Sequence, residues 1–217
     1  MTVISPEDPK HSRNRRIPRI DTFRARRGSL PGAAIVLLLW LLPTLAAAGN
    51  TLVVFGDSLS AAYGIAEDRG WVQLLADRLE DNHPEWTVRN ASISGETTDG
   101  GLRRIEKVLN NHEPAIIIIE LGGNDGLRGK SPETMRRNLA AMIEHSREAG
   151  ARVLLIGIEL PPNYGDRYTS AFRNQYRALV DNHDPVFLPF LLAGIHDREG
   201  MMQNDGIHPT ARAQPLI

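Results

Sequence analysis

The apolar run AIIIIEL at positions 115–121 constrains the fold of this chain more than any other segment. It contains four consecutive isoleucines, and β-branched residues favour extended structure. A strand that is apolar on both faces is typical of a parallel sheet covered by helices on both sides. The run therefore predicts a central strand of such a sheet.

The chain after Thr51 alternates strand-like runs with amphipathic segments, which indicates an α/β protein. The other strand-like runs are TLVVFG, WTVRNAS, ARVLLIGI and PVFLPFLL, and the helical segments are GWVQLLADRLEDN, LRRIEKVLNN, SPETMRRNLAAMIEHSREAG and DRYTSAFRNQYRALVDN. In the third helical segment we expect Ser131 as N-cap, Pro132 as the first helical residue and Gly150 as the stop. In parallel sheets of this kind, ligand sites lie at the carboxyl ends of the strands.

The N-terminal segment, residues 1–48, differs from the rest in charge and hydropathy. Residues 1–31 carry eight Lys/Arg and three Asp/Glu, the apolar run 33–42 follows, and residues 46–48 are all alanine. This order is typical of a secretory signal peptide, so we expect a periplasmic or secreted protein whose mature chain starts near Gly49. An uncleaved membrane anchor is the alternative, but the apolar run is short for a membrane span, which needs about 20 residues.

Composition excludes several classes of function. The residues after position 31 carry 17 basic and 23 acidic side chains, and a mildly acidic domain gives no reason to expect nucleic-acid binding. The chain has no cysteine, which excludes disulfides, thiolate catalysis and Cys-based metal sites. Its seven histidines are scattered without an H-E-x-x-H pattern, so we expect no metal and no cofactor. The segment GGNDGLRGKS is not a phosphate-binding loop, because Asn124 stands where that pattern requires glycine.

Residues with side chains or backbone N–H groups suited to acyl-transfer chemistry follow several of the predicted strands. They are Ser58, Gly95, Asn124 and the pair Asp205 and His208. Each one alone is an ordinary turn residue. Together they form a set, because a serine nucleophile needs a base, the base needs a carboxylate, and an oxyanion needs N–H donors. The sequence therefore predicts that these groups meet at one edge of the sheet.

Four blocks, GDSLS at 56–60, SGET around Gly95, GGND at 122–125 and DGIHP at 205–209, resemble in order and spacing those of the GDSL, or SGNH, hydrolases. The longer stretches NASISGET, ELGGNDGLRG, LPPNYGDRY and MQNDGIHP are similar to the bacterial thioesterase I/protease I/lysophospholipase group, often labelled arylesterase. The resemblance covers essentially all of residues 50–217.

The resemblance implies a flavodoxin-like, three-layer α/β/α sandwich with about five parallel strands, as the strand count also indicates. It implies a serine esterase or thioesterase that acts on small acyl substrates such as aryl esters, lysophospholipids or acyl-CoA. Such an enzyme needs no cofactor, and we expect a monomer with no stable membrane span after signal cleavage. A non-catalytic lipid-binding or scaffold protein of the same fold is the alternative.

Carried over position by position, the resemblance implies roles for five residues. Ser58 would be the nucleophile, His208 the general base, and Asp205 the residue that orients the imidazole. The backbone N–H groups of Ser58 and Gly95, with the side-chain amide of Asn124, would form the oxyanion hole.

The Pro/Gly-containing segment 160–168 follows the fourth predicted strand. By resemblance it would line the acyl pocket, and Leu160 and Tyr164 are the candidate substrate-binding residues, with Tyr168 as a further wall residue. From the residues alone, the segment is a loop with aromatic side chains.

Three other polar residues near the predicted site have less specific interpretations. We expect Asp57 to shape the turn after the first strand and Ser60 to be a turn or helix-cap residue. Asp125 either braces the segment that carries Asn124 or is simply solvated.

The expected organisation is a basic arm with a signal peptide at 1–48 and one hydrolase domain at 49–217. The chain ends nine residues after His208, whereas members of the family usually continue through a C-terminal helix. We therefore expect that helix to be truncated here and the stability of the domain to be low.

Overall fold

The structure, a computed structural model, describes residues 50–217, so the predicted signal peptide at 1–48 lies outside the described residues. Five parallel strands form one sheet in the order β2-β1-β3-β4-β5. The strands are β1 (Asn50–Gly56), β2 (Trp86–Asn90), β3 (Ile116–Glu120), β4 (Arg152–Ile156) and β5 (Val186–Leu188). The predicted parallel α/β sheet is confirmed, and its strand order is flavodoxin-like.

The isoleucine run occupies the centre of this sheet, as predicted. β3 pairs with β1 on one side and with β4 on the other. Successive side chains of a strand point to opposite faces, so Ile117 and Ile119 enter one core cluster and Ile118 enters the other. The strand therefore needs apolar side chains on both faces.

Helices cover both faces of the sheet. They are α1 (Trp71–Asn82), α2 (Thr98–His112), α3 (Gly123–Leu127), α4 (Pro132–Glu148) and α5 (Asp166–His183), with short 3₁₀ helices at Glu67–Arg69, Pro162–Tyr164 and Gln214–Leu216. The apolar sides of α2, α4 and α5 pack on the face that carries Val53 and Phe55. On the opposite face, α1 packs on Leu52 and Val54 through Trp71. This is the predicted three-layer sandwich.

The ends of α4 agree with the local sequence signals. The Ser131 hydroxyl accepts a hydrogen bond from the Thr134 N–H at 3.3 Å, Pro132 opens the helix, and Gly150 adopts a φ of +85° after it. The GGND segment differs from the turn that its residues suggest, because Gly123–Leu127 forms the short helix α3. No helix within residues 50–217 is long and apolar enough to cross a membrane.

Candidate active site

β1 ends in a tight turn, residues 57–60, which presents Ser58 at the carboxyl edge of the sheet. The Asp57 carbonyl accepts from the N–H groups of Ser60 and Ala61 at 3.3 and 3.0 Å, and its carboxylate accepts from the Leu59 N–H at 3.1 Å. The predicted role of Asp57 in shaping the turn is confirmed by these contacts. Ser58 itself is half-buried.

Three polar side chains predicted to meet form one hydrogen-bonded chain. The Ser58 Oγ lies 2.7 Å from His208 Nε2, and His208 Nδ1 lies 2.7 Å from Asp205 Oδ2. The other carboxylate oxygen, Asp205 Oδ1, accepts from the backbone N–H groups of Ile207 and His208 at 2.9 and 3.0 Å. A serine hydroxyl in such a chain can pass its proton to the imidazole while the oxygen attacks a carbonyl carbon.

The Asp205 carboxylate is held in its charged form. Burial raises its pKa, but the hydrogen bonds from the backbone and the ring of His208 and from the Ile207 N–H outweigh this, and the pKa falls to about 2. Asp205 is therefore an acceptor for the His208 ring at every pH near neutrality. That fixes the imidazole with Nδ1 as donor and leaves Nε2 to receive a proton from Ser58.

The Asn124 amide lies beside the Ser58 turn because it donates to Asp57 Oδ2 at 3.0 Å. An amide nitrogen carries two hydrogens, so one N–H remains for a ligand in the cavity that Asn124 lines together with Ser58. Gly95 has a φ of +78°, and its carbonyl accepts from the exposed Arg128 guanidinium at 3.0 Å. Within residues 50–217, the backbone N–H groups of Ser58 and Gly95 have no hydrogen-bond acceptor.

A buried carboxyl group that no sequence motif indicated packs under the Ser58 turn. Glu120, the last residue of β3, is fully buried, and its Oε2 accepts from the Asp57 N–H at 3.2 Å and from the Ser60 hydroxyl at 2.8 Å. Burial, with the nearby charge of Asp57, raises the pKa of Glu120 well above its usual range. Its Oε1 has no hydrogen-bond partner among the described residues.

This contact explains the positions of Ser60 and Gly56. Ser60 is a turn residue, one of its two expected roles, and its hydroxyl is buried against Glu120 and caps no helix. A Cβ on Gly56 would lie 2.7 Å from both Glu120 Oε2 and Ser60 Oγ. Gly56 is therefore required because the buried carboxyl group of Glu120 approaches it closely. The sequence signal that could have indicated this buried carboxyl is the single acidic residue at the end of an apolar strand.

Asp125 is buried, so the alternative of a solvated side chain is wrong. Its carboxylate accepts from the backbone N–H and the hydroxyl of Thr98, both at 2.8 Å, at the start of α2. The side chain therefore ties the short helix that carries Asn124 to its neighbour and braces that helix.

A cavity of about 430 Å³ opens beside Ser58, His208 and Asn124. Its apolar lining comes from the Ser58 turn, the end of α3, the segments after β4 and β5 and the C-terminal loops. It consists of Leu59, Leu127, Ile158, Leu160, Pro161, Pro162, Phe190, Leu192, Met202 and Ile207. The structure places Leu160 in this wall, as expected. It does not place Tyr164 there, because the Tyr164 hydroxyl donates to the Leu127 carbonyl at 3.0 Å and its ring lines a separate hollow beside Tyr168.

Gln203 connects the Ser58 turn to the loop that carries His208, and the sequence analysis did not single it out. Its side-chain nitrogen donates to the Tyr63 carbonyl at 2.8 Å and to the Pro209 carbonyl at 3.1 Å, while its backbone N–H donates to the His208 carbonyl at 2.7 Å. The Tyr63 N–H in turn donates to the Ser58 carbonyl at 3.3 Å. The Gln203 side chain therefore links the loop that carries Ser58 to the loop that carries His208.

Comparison with known proteins agrees with this architecture. The model of the GDSL-like lipase/acylhydrolase family matches residues 54–215. The esterase TesA of Pseudomonas aeruginosa is 51% identical over 184 residues, which are 85% of this chain and 89% of that protein. The thioesterase 1/protease 1/lysophospholipase L1 of Escherichia coli is 42% identical over 181 residues, 83% of this chain and 86% of that one.

Among solved structures, the psychrotrophic esterase EstA from Pseudoalteromonas sp., in a form inhibited by monoethylphosphonate, superposes with a TM-score of 0.74. It is 42% identical, and the match covers 77% of this chain and 91% of that one. Because the family model spans most of the chain and relatives share about half or two fifths of their residues with it, this protein belongs to the GDSL-like lipase/acylhydrolase family and is an ester-hydrolysing enzyme.

Proposed function

We propose that this protein is a serine esterase and thioesterase that works through an acyl-enzyme on Ser58. The observation that carries the proposal is the Ser58–His208–Asp205 chain, with both contacts at 2.7 Å, at the opening of an apolar cavity. His208 is the general base, and Asp205 holds its tautomer and stabilises the imidazolium.

In the first half of the reaction, the Ser58 oxygen attacks the substrate carbonyl carbon as His208 Nε2 takes the serine proton. The carbonyl oxygen becomes an oxyanion, which the N–H groups of Ser58 and Gly95 and the free amide N–H of Asn124 stabilise. The imidazolium then gives its proton to the leaving oxygen or sulfur, and the C–O or C–S bond breaks. Water attacks the acyl-enzyme in the second half by the same proton route and regenerates Ser58.

Asp57 has a supporting role in this mechanism. Its carboxylate accepts from the Asn124 amide and from the Leu59 N–H, so it orients the third oxyanion donor relative to the turn that carries Ser58. We assign Asp57 as a positioning residue, since it reaches the reacting atoms only through Asn124.

The cavity supports an acyl chain as the group held next to Ser58. Its volume of about 430 Å³ lies in the range of about 300–1,000 Å³ that is common for small-molecule sites, and about half of its lining residues are apolar. The names of the relatives include esterase, thioesterase and lysophospholipase. Acyl esters, lysophospholipids and acyl-CoA are therefore the substrates that we propose. We also propose that the protein is a monomer and that the segment 1–48 directs its export.

The deciding experiment is reaction with a fluorophosphonate probe and hydrolysis of p-nitrophenyl butyrate by wild type, Ser58→Ala and Ser60→Ala. We expect Ser58→Ala to lose both labelling and turnover, while Ser60→Ala keeps the labelled serine. Undiminished turnover in Ser58→Ala would exclude the nucleophile assignment, and a wild type that binds fatty acids without hydrolysing any ester would instead support the lipid-binding alternative. Rates over p-nitrophenyl esters of increasing chain length, with palmitoyl-CoA and lysophosphatidylcholine, then rank the substrate classes.

A further inference from the structure

The aromatic ring of Tyr63 lies against the catalytic imidazole that we propose, on a part of the surface that the mechanism above does not use. The ring centroids of Tyr63 and His208 are 4.4 Å apart and the ring planes are tilted by 38°. Tyr63 is 51% exposed, so much of its ring faces solvent and is available to a ligand.

The position of Tyr63 is fixed by its backbone. Its N–H donates to the Ser58 carbonyl at 3.3 Å, and its carbonyl accepts from the Gln203 side chain at 2.8 Å. Both contacts belong to the loops that carry Ser58 and His208. A ligand that stacks on the ring therefore meets a group already held in place, which lowers the ordering cost of binding.

Tyr63 is not part of the apolar cavity wall, whereas Ser58 and His208 both are. If the acyl chain occupies the cavity, the leaving group, which is the other substituent of the carbonyl carbon, must extend away from the cavity. Its oxygen must also lie within reach of His208 Nε2, because that nitrogen gives it a proton. The leaving group is thereby brought beside the imidazole, where the exposed ring of Tyr63 lies.

Building on the proposed function, we propose that Tyr63 is a specificity-determining residue that stacks on the leaving group and favours esters of aromatic alcohols over esters of alkyl alcohols. The chemical step is unchanged: the bond from Ser58 Oγ to the acyl carbon forms, the bond from that acyl carbon to the aryloxy oxygen breaks, and the proton that His208 took from Ser58 goes to the phenolic oxygen. The ring contributes only binding free energy, and this contribution is largest with a flat, aromatic leaving group.

The test compares phenyl butyrate with ethyl butyrate in wild type, Tyr63→Phe and Tyr63→Leu. The two esters share one acyl-enzyme, so differences in kcat/KM report only the acylation step, in which the leaving group is present. Aromatic pairs add enough free energy for about a three- to tenfold effect. We therefore expect the phenyl-to-ethyl ratio of kcat/KM to fall about three- to tenfold in Tyr63→Leu, whereas Tyr63→Phe keeps the ring and holds the ratio near that of wild type.

Two results would overturn the inference, after circular dichroism has shown that the variants are folded. One is an equal loss on both esters in Tyr63→Leu, which would mean that the ring only positions His208. The other is an unchanged ratio, which would mean that the leaving group does not contact the ring. Failure of the proposed function itself has a different signature, because wild type would then hydrolyse neither ester and Ser58 would not react with the fluorophosphonate.

Discussion

The buried carboxyl of Asp57 should make the protein less stable as the pH rises from 4 to 7. Burial raises its pKa from 3.8 to about 6, even though hydrogen bonds from Leu59 and Asn124 lower it. Because the folded state holds this proton more tightly than the unfolded state does, the contribution of Asp57 to stability is full below pH 3.8 and is lost as the pH rises through about 6. The difference between the two pKa values corresponds to about 3 kcal/mol.

The perturbation is Asp57→Asn, since asparagine keeps the shape of the side chain and does not titrate. Urea unfolding followed by circular dichroism, at pH 4 to 7 and constant ionic strength, gives the free energy of unfolding of both proteins. We expect the difference, wild type minus variant, to fall by about 3 kcal/mol over this range. Asp99→Asn is the control, because hydrogen bonds from Lys130 and Asn138 lower the pKa of Asp99. Its difference from wild type should stay nearly constant above pH 5 and fall only in more acidic solution.

Parallel stability curves for wild type and Asp57→Asn would refute the reasoning, because they would mean that Asp57 loses its proton at the same pH in both states. The same variant also affects catalysis. The Leu59 N–H bonds to Asp57 Oδ1 and the Asn124 amide bonds to Oδ2. In asparagine one of these two positions is an NH2 donor, so one of the contacts is lost and the Asn124 amide is less well oriented. We expect kcat to fall, but by less than the loss of about 10²–10³-fold that follows removal of an oxyanion donor.

Three further substitutions test individual contacts. Asn124→Ala should lower kcat about 10²–10³-fold with an unfolding midpoint close to that of wild type, and a near-wild-type rate would remove Asn124 from the oxyanion hole. Glu120→Leu leaves two buried donors unpaired at about 1–3 kcal/mol each, whereas Glu120→Gln keeps an accepting oxygen; equal urea midpoints for these two variants would contradict the assigned contacts. Gln203→Glu turns a double donor into a carboxylate that faces two carbonyls. The kcat/KM of this variant relative to wild type should therefore be low at pH 8 and partly recover at pH 5, where the glutamate can be protonated. A ratio to wild type that does not change with pH would contradict the assigned contacts of Gln203.

The parts of the fold that the sequence predicted depend on local signals. The isoleucine run at 115–121 indicates a strand buried on both faces, and β3 is the central strand for that reason. Ser131, Pro132 and Gly150 mark the ends of α4 through bonds and backbone angles within a few residues. Ser58 and His208 were grouped because parallel strands bring their carboxyl ends to one edge, and they lie within hydrogen-bonding distance there.

The features that the sequence did not predict depend on contacts between distant segments. Gln203 and the Tyr63 carbonyl are 140 residues apart, and no pattern within either segment indicates that they meet. Glu120 is the last residue of an apolar strand, and its carboxyl is buried because the Ser58 turn packs over it. Tyr164 follows a strand that delivers Leu160 to the cavity, but the 3₁₀ turn after it directs the Tyr164 hydroxyl to Leu127.

Three long-range contacts of the active site have one end in common, the segment that begins with the Ser58 turn. Glu120 supports the turn from β3, the Asn124 amide bonds to Asp57 within it, and the Gln203 side chain bonds to the Tyr63 carbonyl shortly after it. A nucleophile must be aligned with both its base and its oxyanion donors to within a fraction of an ångström. Glu120, Asn124 and Gln203 all bond to this one segment. These shared bonds keep the nucleophile, the base and the Asn124 donor aligned with one another. The net loss of about 3 kcal/mol of stability on ionisation of Asp57 is thus connected to function. Both carboxylate oxygens accept, Oδ1 from Leu59 and Oδ2 from Asn124, and only the ionised form leaves both oxygens without a proton.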